Sequence, residues 1–270
     1  MDITGKVFVV TGAGGGIGRC VATELVRRGA TVVGGDRNEQ GLDETGVQVA
    51  VPARFRARRL DISRRDDLPG FAEQVVADHG QVDGLFNIAG IAQEFETVAE
   101  VTDERIETLM RVNFFGTVWL TRAFLPYLLD RPRAAIMNTA SSSAMVPVPG
   151  SAIYGASKAA LEMFGYGLNQ DLRGSGVTVT TAVPGSIWTD LVRKSALALG
   201  TSETLAKNFA TMPEVAARRM IEATLHGRRR VVIGKDAHVY DAVGRVSRRA
   251  ADRLSYLQVG RFVYRDRDAR

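Results

Sequence analysis

A chain of 270 residues with 45% hydrophobic and 24% charged residues has ordinary globular composition, enough for one α/β domain or two smaller ones. The single Cys20 excludes an internal disulfide framework, and no apolar run approaches the ~20 residues that cross a bilayer. Without a signal-peptide pattern at the N-terminus, a soluble, cytoplasmic protein is expected. The net charge of +5 is uneven: residues 226–270 hold twelve Lys and Arg against five Asp, a net +7 that leaves −2 on the first 225. The basic character belongs to the tail, so nucleic-acid binding is not expected.

Residues 7–10 (VFVV) form a short apolar run, as in a strand buried on both faces of a parallel sheet. It enters Thr11-Gly12-Ala13-Gly14-Gly15-Gly16-Ile17-Gly18, after which Cys20, Val21, Leu25 and Val26 recur at helical spacing. A Gly-rich turn between strand and helix lets the backbone approach a pyrophosphate, whose charge meets the helix N-terminus. The next strand, residues 31–35, stops at Asp36, where a carboxylate accepts adenosine ribose hydroxyls and repels a 2′-phosphate. Arg37 could favour that phosphate, but the loop itself has Gly14 and Gly15 at its middle and no base. NAD is therefore expected over NADP.

Residues 37–53 are polar, with a short helix at most, and residues 54–60 alternate Arg and apolar residues as a third strand ending at Asp61-Ile62. The arginines from Arg54 to Arg65 are interleaved with Asp61, Asp66 and Asp67, which reads as a solvated edge. An amphipathic helix is expected over 68–78, and a strand over 82–86 that closes in Asn87-Ile88-Ala89-Gly90. Thr102 is a plausible N-cap of a long helix containing Asn113. Residues 135–138 form a fifth strand leading into Thr139-Ala140-Ser141-Ser142-Ser143.

Residues 151–168 read as a helix with Tyr154 and Lys158 four apart. Such residues share a helix face, so the ammonium is within reach of the phenol. A tyrosine ionises near pH ~10, and a fixed cation favours its phenolate. A β-branched strand at 177–183 ends in Pro184-Gly185-Ser186-Ile187-Trp188-Thr189. Residues 190–212 have a looser pattern, a helix starts at Pro213, and residues 231–233 form the last strand. From Tyr240 to Leu257 apolar residues recur at near-helical spacing among arginines; such a helix can lie on a membrane, but packing on its own domain is the favoured reading.

The TGxxxGIG pattern of residues 11–18, with the YxxxK pair, resembles the short-chain dehydrogenase/reductase family, and the likeness runs from Lys6 to about Gly234. The resemblance implies a single-domain, Rossmann-type α/β fold: a doubly wound parallel sheet of about seven strands with helices on both faces. Residues 1–235 would be the dinucleotide-binding and catalytic domain, with a substrate lid at about 186–212. Residues 236–270 would be a basic helical extension of it. Family spacing selects Ser141, thirteen residues before the tyrosine, as the hydroxyl that orients the substrate oxygen. Tyr154 would be the acid/base, Lys158 would hold the ribose and lower the phenol's pKa, and Asn113 would support a water relay. Cofactor contacts are implied at Thr11, Gly12, Gly14, Gly15, Gly16, Ile17, Gly18, Asp36, Arg37, Asp61 and Ile62. They are also implied at Asn87, Ala89, Gly90, Tyr154, Lys158, Pro184, Gly185, Ile187 and Thr189; no metal site is expected.

Ile91, Phe95, Ala144, Met145, Val146, Pro147, Trp188 and Leu191 would line an apolar pocket. The expected activity is NAD-dependent interconversion of an apolar secondary alcohol and its ketone. The alternatives are an NADP-dependent carbonyl or 3-oxoacyl reductase, and a non-catalytic dinucleotide-sensing or scaffold protein. A homo-oligomer, dimer or tetramer, is expected from the resemblance.

Overall fold

The computed structural model describes residues 1–198, 202–260 and 263. Strand β1 (Val7–Thr11), buried throughout, leads into α1 (Gly16–Arg27). Then come β2 (Thr31–Asp36), α2 (Glu39–Gln48), β3 (Phe55–Arg59), α3 (Leu68–His79) and β4 (Gly84–Asn87). The second half opens with α4 (Asp103–Met110), a π-helical segment (Arg111–Gly116) and α5 (Thr117–Leu129). It continues through β5 (Ala134–Thr139), α6 (Ala152–Asp171), β6 (Val177–Pro184), α7 (Asp190–Ala198) and α8 (Glu203–Phe209). α9 (Pro213–Leu225), β7 (Arg230–Ile233), α10 (Lys235–Val246) and α11 (Arg248–Ser255) complete it.

The seven strands form one sheet in the order β3-β2-β1-β4-β5-β6-β7, with every pairing parallel. Side chains alternate across a strand, so a strand covered on both faces must be apolar at consecutive positions. β1 does this: Phe8 and Val10 enter the core against Val21, Leu25, Met220 and Ile221 of α1 and α9. Val9 enters the opposite core, with Leu120 and Phe124 of α5 and Leu168 of α6. The chain turns to opposite sides of β1 through β2 and β4, which opens a crevice at their C-terminal ends. At the other end, the fully buried Asp83 accepts from Lys6 Nζ (3.3 Å), Arg131 Nε (3.0 Å), Gln81 Nε2 (2.9 Å) and the Val7 N–H (2.9 Å).

Three elements depart from the sequence reading. α2 is a ten-residue helix rather than a short one, because Asn38 caps it by accepting from the Gly41 N–H (3.0 Å). The helix expected through Asn113 starts at its Thr102 cap but loosens into the π-helical segment at Arg111–Gly116. The basic stretch expected as one helix breaks at Ser247, whose hydroxyl accepts from the Ala250 N–H and starts α11. Tyr240 and Ala251 pack with Val146 in a small apolar cluster, so α10 and α11 lie against the loop that follows Ser141. No helix among the described residues is long and apolar enough to cross a membrane.

Candidate active site

The glycine loop closes tightly over the start of α1. A Cβ at Gly18 would lie 2.0 Å from the Gly12 carbonyl oxygen, so only glycine allows this approach. Gly16 begins α1, and Ile17 packs against the core. Asp36, at the end of β2, accepts from the Gly14 N–H through Oδ2 (3.0 Å) and from the Asn38 N–H through Oδ1 (2.9 Å). Arg37 is exposed beside it. The Asp61 carboxyl is pushed up by burial, but the Ser63 N–H and hydroxyl outweigh that and hold it below the usual range. Ile62 is buried in the core, away from solvent.

Two expected cofactor positions are committed to the protein itself. The Thr11 hydroxyl accepts from the N–H groups of Ile88 (3.0 Å) and Ala89 (3.1 Å), tying the end of β1 to the turn after β4. The Asn87 amide donates to Asn138 Oδ1 (2.9 Å) and Thr121 Oγ1 (3.1 Å), which fixes β4 against β5.

Asn113, fully buried in the π-helical segment, grips Ile91 on both sides: Oδ1 accepts from its N–H (2.8 Å) and Nδ2 donates to its carbonyl (2.9 Å). π-helical turns cluster at functional sites because they push one residue out of helical register. Gly90 sits between Asn113 and Lys158: a Cβ there would meet Asn113 Oδ1 at 3.0 Å and Lys158 Nζ at 3.2 Å.

Ser141, Tyr154 and Lys158 converge beyond the end of β5. The Ser141 hydroxyl draws the Tyr154 phenol's pKa down against burial, and it accepts from the Ser143 N–H (3.2 Å). Ser142 and Ser143 form the following 3-10 turn, so the serine that acts on the phenol is Ser141. Lys158 is buried; its Nζ donates to the Thr139 carbonyl (2.9 Å) and lies 5.9 Å from the Tyr154 ring centroid.

Their electrostatics differ from the simple expectation. Burial pushes the phenol's pKa up, and the opposing pull comes from Ser141, not from Lys158. The same burial brings the Lys158 ammonium down to about 8. Desolvation penalises the charged form of each group, so it drives the two in opposite directions.

The turn after β6 is braced from the C-terminal region. Gly185 N–H donates to the Ile233 carbonyl (2.8 Å), and Ser186 N–H donates to Asp236 Oδ2 (2.7 Å). Ile187 is buried and bridges Thr211, while Thr189 lies half-buried over the glycine loop, its methyl 3.2 Å from where a Gly16 Cβ would stand. Pro184, buried, closes the strand.

Residues 6–199 match the short chain dehydrogenase family. The chain belongs to this family. It is 34% identical over 267 residues to the oxidoreductase SadH of Mycobacterium tuberculosis, covering 96% of each chain. A short-chain dehydrogenase from Streptomyces avermitilis superposes with a TM-score of 0.79 at 30% identity, over 96% of this chain and 98% of that one. A short-chain dehydrogenase/reductase of Burkholderia phymatum, solved with NAD, gives 0.79 at 27% identity, over 91% and 93%. As a short-chain dehydrogenase the chain is an NAD(P)-dependent oxidoreductase acting on CH–OH groups.

Of the expected pocket residues, Ile91, Phe95, Ala144 and Trp188 are half-buried and Pro147 is exposed, whereas Met145 and Val146 pack in the cluster with Tyr240 and Ala251. The Leu191 side chain and residues 199–201 lie outside the described residues. Sequence reasoning missed three supporting groups: Arg19, Gln93 and Asp236. Arg19 ties α1 to the loop and α2, donating to the Gly14 carbonyl (2.7 Å), Thr45 (3.0 Å) and Glu44 (2.7 Å). A polar residue otherwise unexplained next to a glycine loop was the available signal.

Proposed function

We propose that this short-chain dehydrogenase transfers hydride between NAD and an apolar secondary alcohol or ketone. The observation that carries the reading is the convergence of three groups: the Ser141 hydroxyl, which acts on the Tyr154 phenol, and the Lys158 ammonium 5.9 Å from that phenol's ring centroid. A dinucleotide suits the residues present. The loop has open space over Gly15, where a Cβ would touch nothing within 4 Å, and the first turn of α1 carries no acidic side chain. Gly12, Gly14, Gly15, Gly16, Ile17 and Gly18 would hold the pyrophosphate, and Asp36 with Arg37 the adenosine ribose. Asp61 and the backbone at Ile62, whose side chain is in the core, would flank the adenine. Ala89, Gly90, Pro184, Gly185, Ile187 and Thr189 would hold the nicotinamide side, with Thr11 and Asn87 shaping the floor.

When bound, the nicotinamide supplies or accepts the hydride. Ser141 donates to the substrate oxygen and aligns it with the phenol. Tyr154 takes the hydroxyl proton in oxidation and returns it in reduction. Lys158 binds the ribose hydroxyls and brings a positive charge beside the phenol, and Asn113 supports the water path behind the lysine. NAD is favoured over NADP because Asp36 already holds its carboxylate at the ribose end of β2, where a 2′-phosphate would meet like charge. The half-buried Ile91, Phe95 and Trp188 favour an apolar substrate.

Residues 186–212 would act as the substrate lid, and residues 236–270, of which 261–262 and 264–270 lie outside the described residues, as an extension of the one domain formed with 1–235. The Phe115, Met163 and Tyr166 side chains, exposed on the π-helical segment and α6, support a homo-oligomer, a dimer or tetramer, as the partner. Cytoplasmic residence fits the lone Cys20, whose thiol burial pushes up to about 11.

The test is a panel of secondary alcohols with NAD, read at the absorbance of the reduced cofactor, with Tyr154→Phe alongside. Turnover lost in Tyr154→Phe with NAD binding kept supports the reading. Undiminished turnover in that variant, or a strong preference for NADP, would count against it.

A further inference from the structure

The catalytic helix α6 begins without a cap of its own. Ser151 stands at its N-cap position, but its side chain accepts no bond from the first turn. The first N–H groups of a helix have no partner inside it and need an acceptor from elsewhere. Here that acceptor comes from about sixty residues away. Gln93, buried, directs Oε1 at the N–H groups of Ile153 (3.1 Å) and Tyr154 (3.0 Å). Its Nε2 donates to the Glu96 carbonyl (3.1 Å), which fixes which end of the amide faces the helix.

Gln93 is itself delivered by an anchored strap. Asn113 holds Ile91 by both backbone groups, and Arg105 Nη2 donates to the Ala92 carbonyl (2.7 Å). Beyond Gln93, the Glu96 N–H donates to the Gly150 carbonyl (3.0 Å), just before α6. The other backbone group of Tyr154 leads back to the same anchor. Its carbonyl accepts from Ser157 Oγ (2.7 Å), which accepts from Asn113 Nδ2 (3.2 Å). Both peptide groups of the tyrosine are thus held by side chains that trace to Asn113.

We propose that Gln93 is a positioning residue for Tyr154. It acts as an N-cap supplied from another segment, so that the phenol's place in the cleft is set by the Ile91–Glu96 strap as well as by α6. Its catalytic consequence rests on the assignment of Tyr154 as the acid/base; its structural content does not. A helix start that loses its cap frays in the first turn, where Tyr154 is the third residue. A phenol displaced by a fraction of an ångström loses proton-transfer efficiency without altering cofactor binding.

The experiment compares Gln93→Met, which keeps the length and loses the acceptor, with Gln93→Glu, which keeps an oxygen aimed at the helix N-terminus. Hydrogen exchange over residues 151–158 reads the cap directly, without substrate. In Gln93→Met, exchange at the Ile153 and Tyr154 amides is expected to rise about tenfold, and Gln93→Glu to restore most of the protection. With an alcohol that the wild type oxidises, Gln93→Met is expected to lose about tenfold in kcat with KM for NAD within twofold, and Gln93→Glu to recover it.

Unchanged exchange at those amides would overturn the proposal, as would a loss in KM for NAD with kcat intact. Faster exchange with kcat unaltered would reduce Gln93 to a structural cap and overturn it too. Should Gln93→Met not fold, Gln93→Asn, whose amide falls one methylene short, carries the same comparison. If no alcohol is oxidised by the wild type, the dehydrogenase reading fails, while the exchange result still decides whether Gln93 caps α6.

Discussion

Lys158→Met is expected to make the protein more stable and less active, by amounts that the buried ammonium sets. The side chain is 4% exposed, and burial brings its pKa from 10.5 to about 8. At about 1.4 kcal/mol per pKa unit, keeping it charged in the fold costs about 3 kcal/mol at neutral pH. Methionine removes that term but strips the Thr139 carbonyl of its donor, which returns about 1 kcal/mol. The net gain of about 2 kcal/mol corresponds to a melting temperature raised by roughly 5 °C in a chain of this size.

The sign of the pH dependence follows from linkage. Between about 8 and 10.5 the unfolded lysine binds a proton that the folded one has lost, so wild-type stability rises with pH across that window. The burial penalty is complete below about 8 and fades toward 10.5. The melting advantage of Lys158→Met should therefore be largest at pH 7 and shrink by about 2 kcal/mol at pH 9.5. Thermal denaturation of both proteins at the two pH values measures it, and NADH formation reports the expected loss of at least about a hundredfold in turnover. A variant no more stable than the wild type at pH 7, or an advantage that stays constant with pH, would refute the desolvated ammonium.

Asp83→Asn leaves Lys6 and Arg131 without their buried carboxylate and should lower unfolding free energy in urea by about 3–5 kcal/mol, with turnover per folded molecule unchanged. Gly18→Ala must move the Gly12 carbonyl, 2.0 Å from the new Cβ, and NAD affinity by fluorescence titration should fall at least about tenfold. By contrast, Gly167→Ala, inside α6 where a Cβ meets nothing within 4 Å, should raise stability by about 1 kcal/mol. Asp236→Ala removes the acceptor of the Ser186 N–H and should raise KM for NAD by roughly threefold to tenfold, with kcat less affected; Asp236→Asn should recover part of it.

What was legible in the chain was local. The glycine turn, the carboxylate at the end of β2 and the Tyr154–Lys158 spacing each need only one element and its neighbour. The unbroken apolar run along β1 told that both faces are covered, which is the basis of the layered fold. The groups that escaped are partners brought from far along the chain: Gln93 to Tyr154, Asp236 to Ser186, Arg19 to Thr45 and Glu44. α2 was under-read because Gly41 and Gly46 weaken its helical signal, while its cap and its ties to Arg19 supply what propensity does not.

The Tyr154–Lys158 pair shows the same divide. An i,i+4 spacing establishes proximity but not dielectric, and proximity alone predicts that the cation lowers the phenol's pKa. Burial acts on both groups at once: the ammonium loses its proton near 8 while the phenol is pushed above its ordinary value. At neutral pH the lysine keeps its charge, and the group that opposes burial at the phenol is the Ser141 hydroxyl. Spacing along one helix likewise does not fix where the phenol stands. Hydrogen bonds from Gln93 and Ser157, the latter held by Asn113, fix the backbone of this one tyrosine from outside its own helix turn.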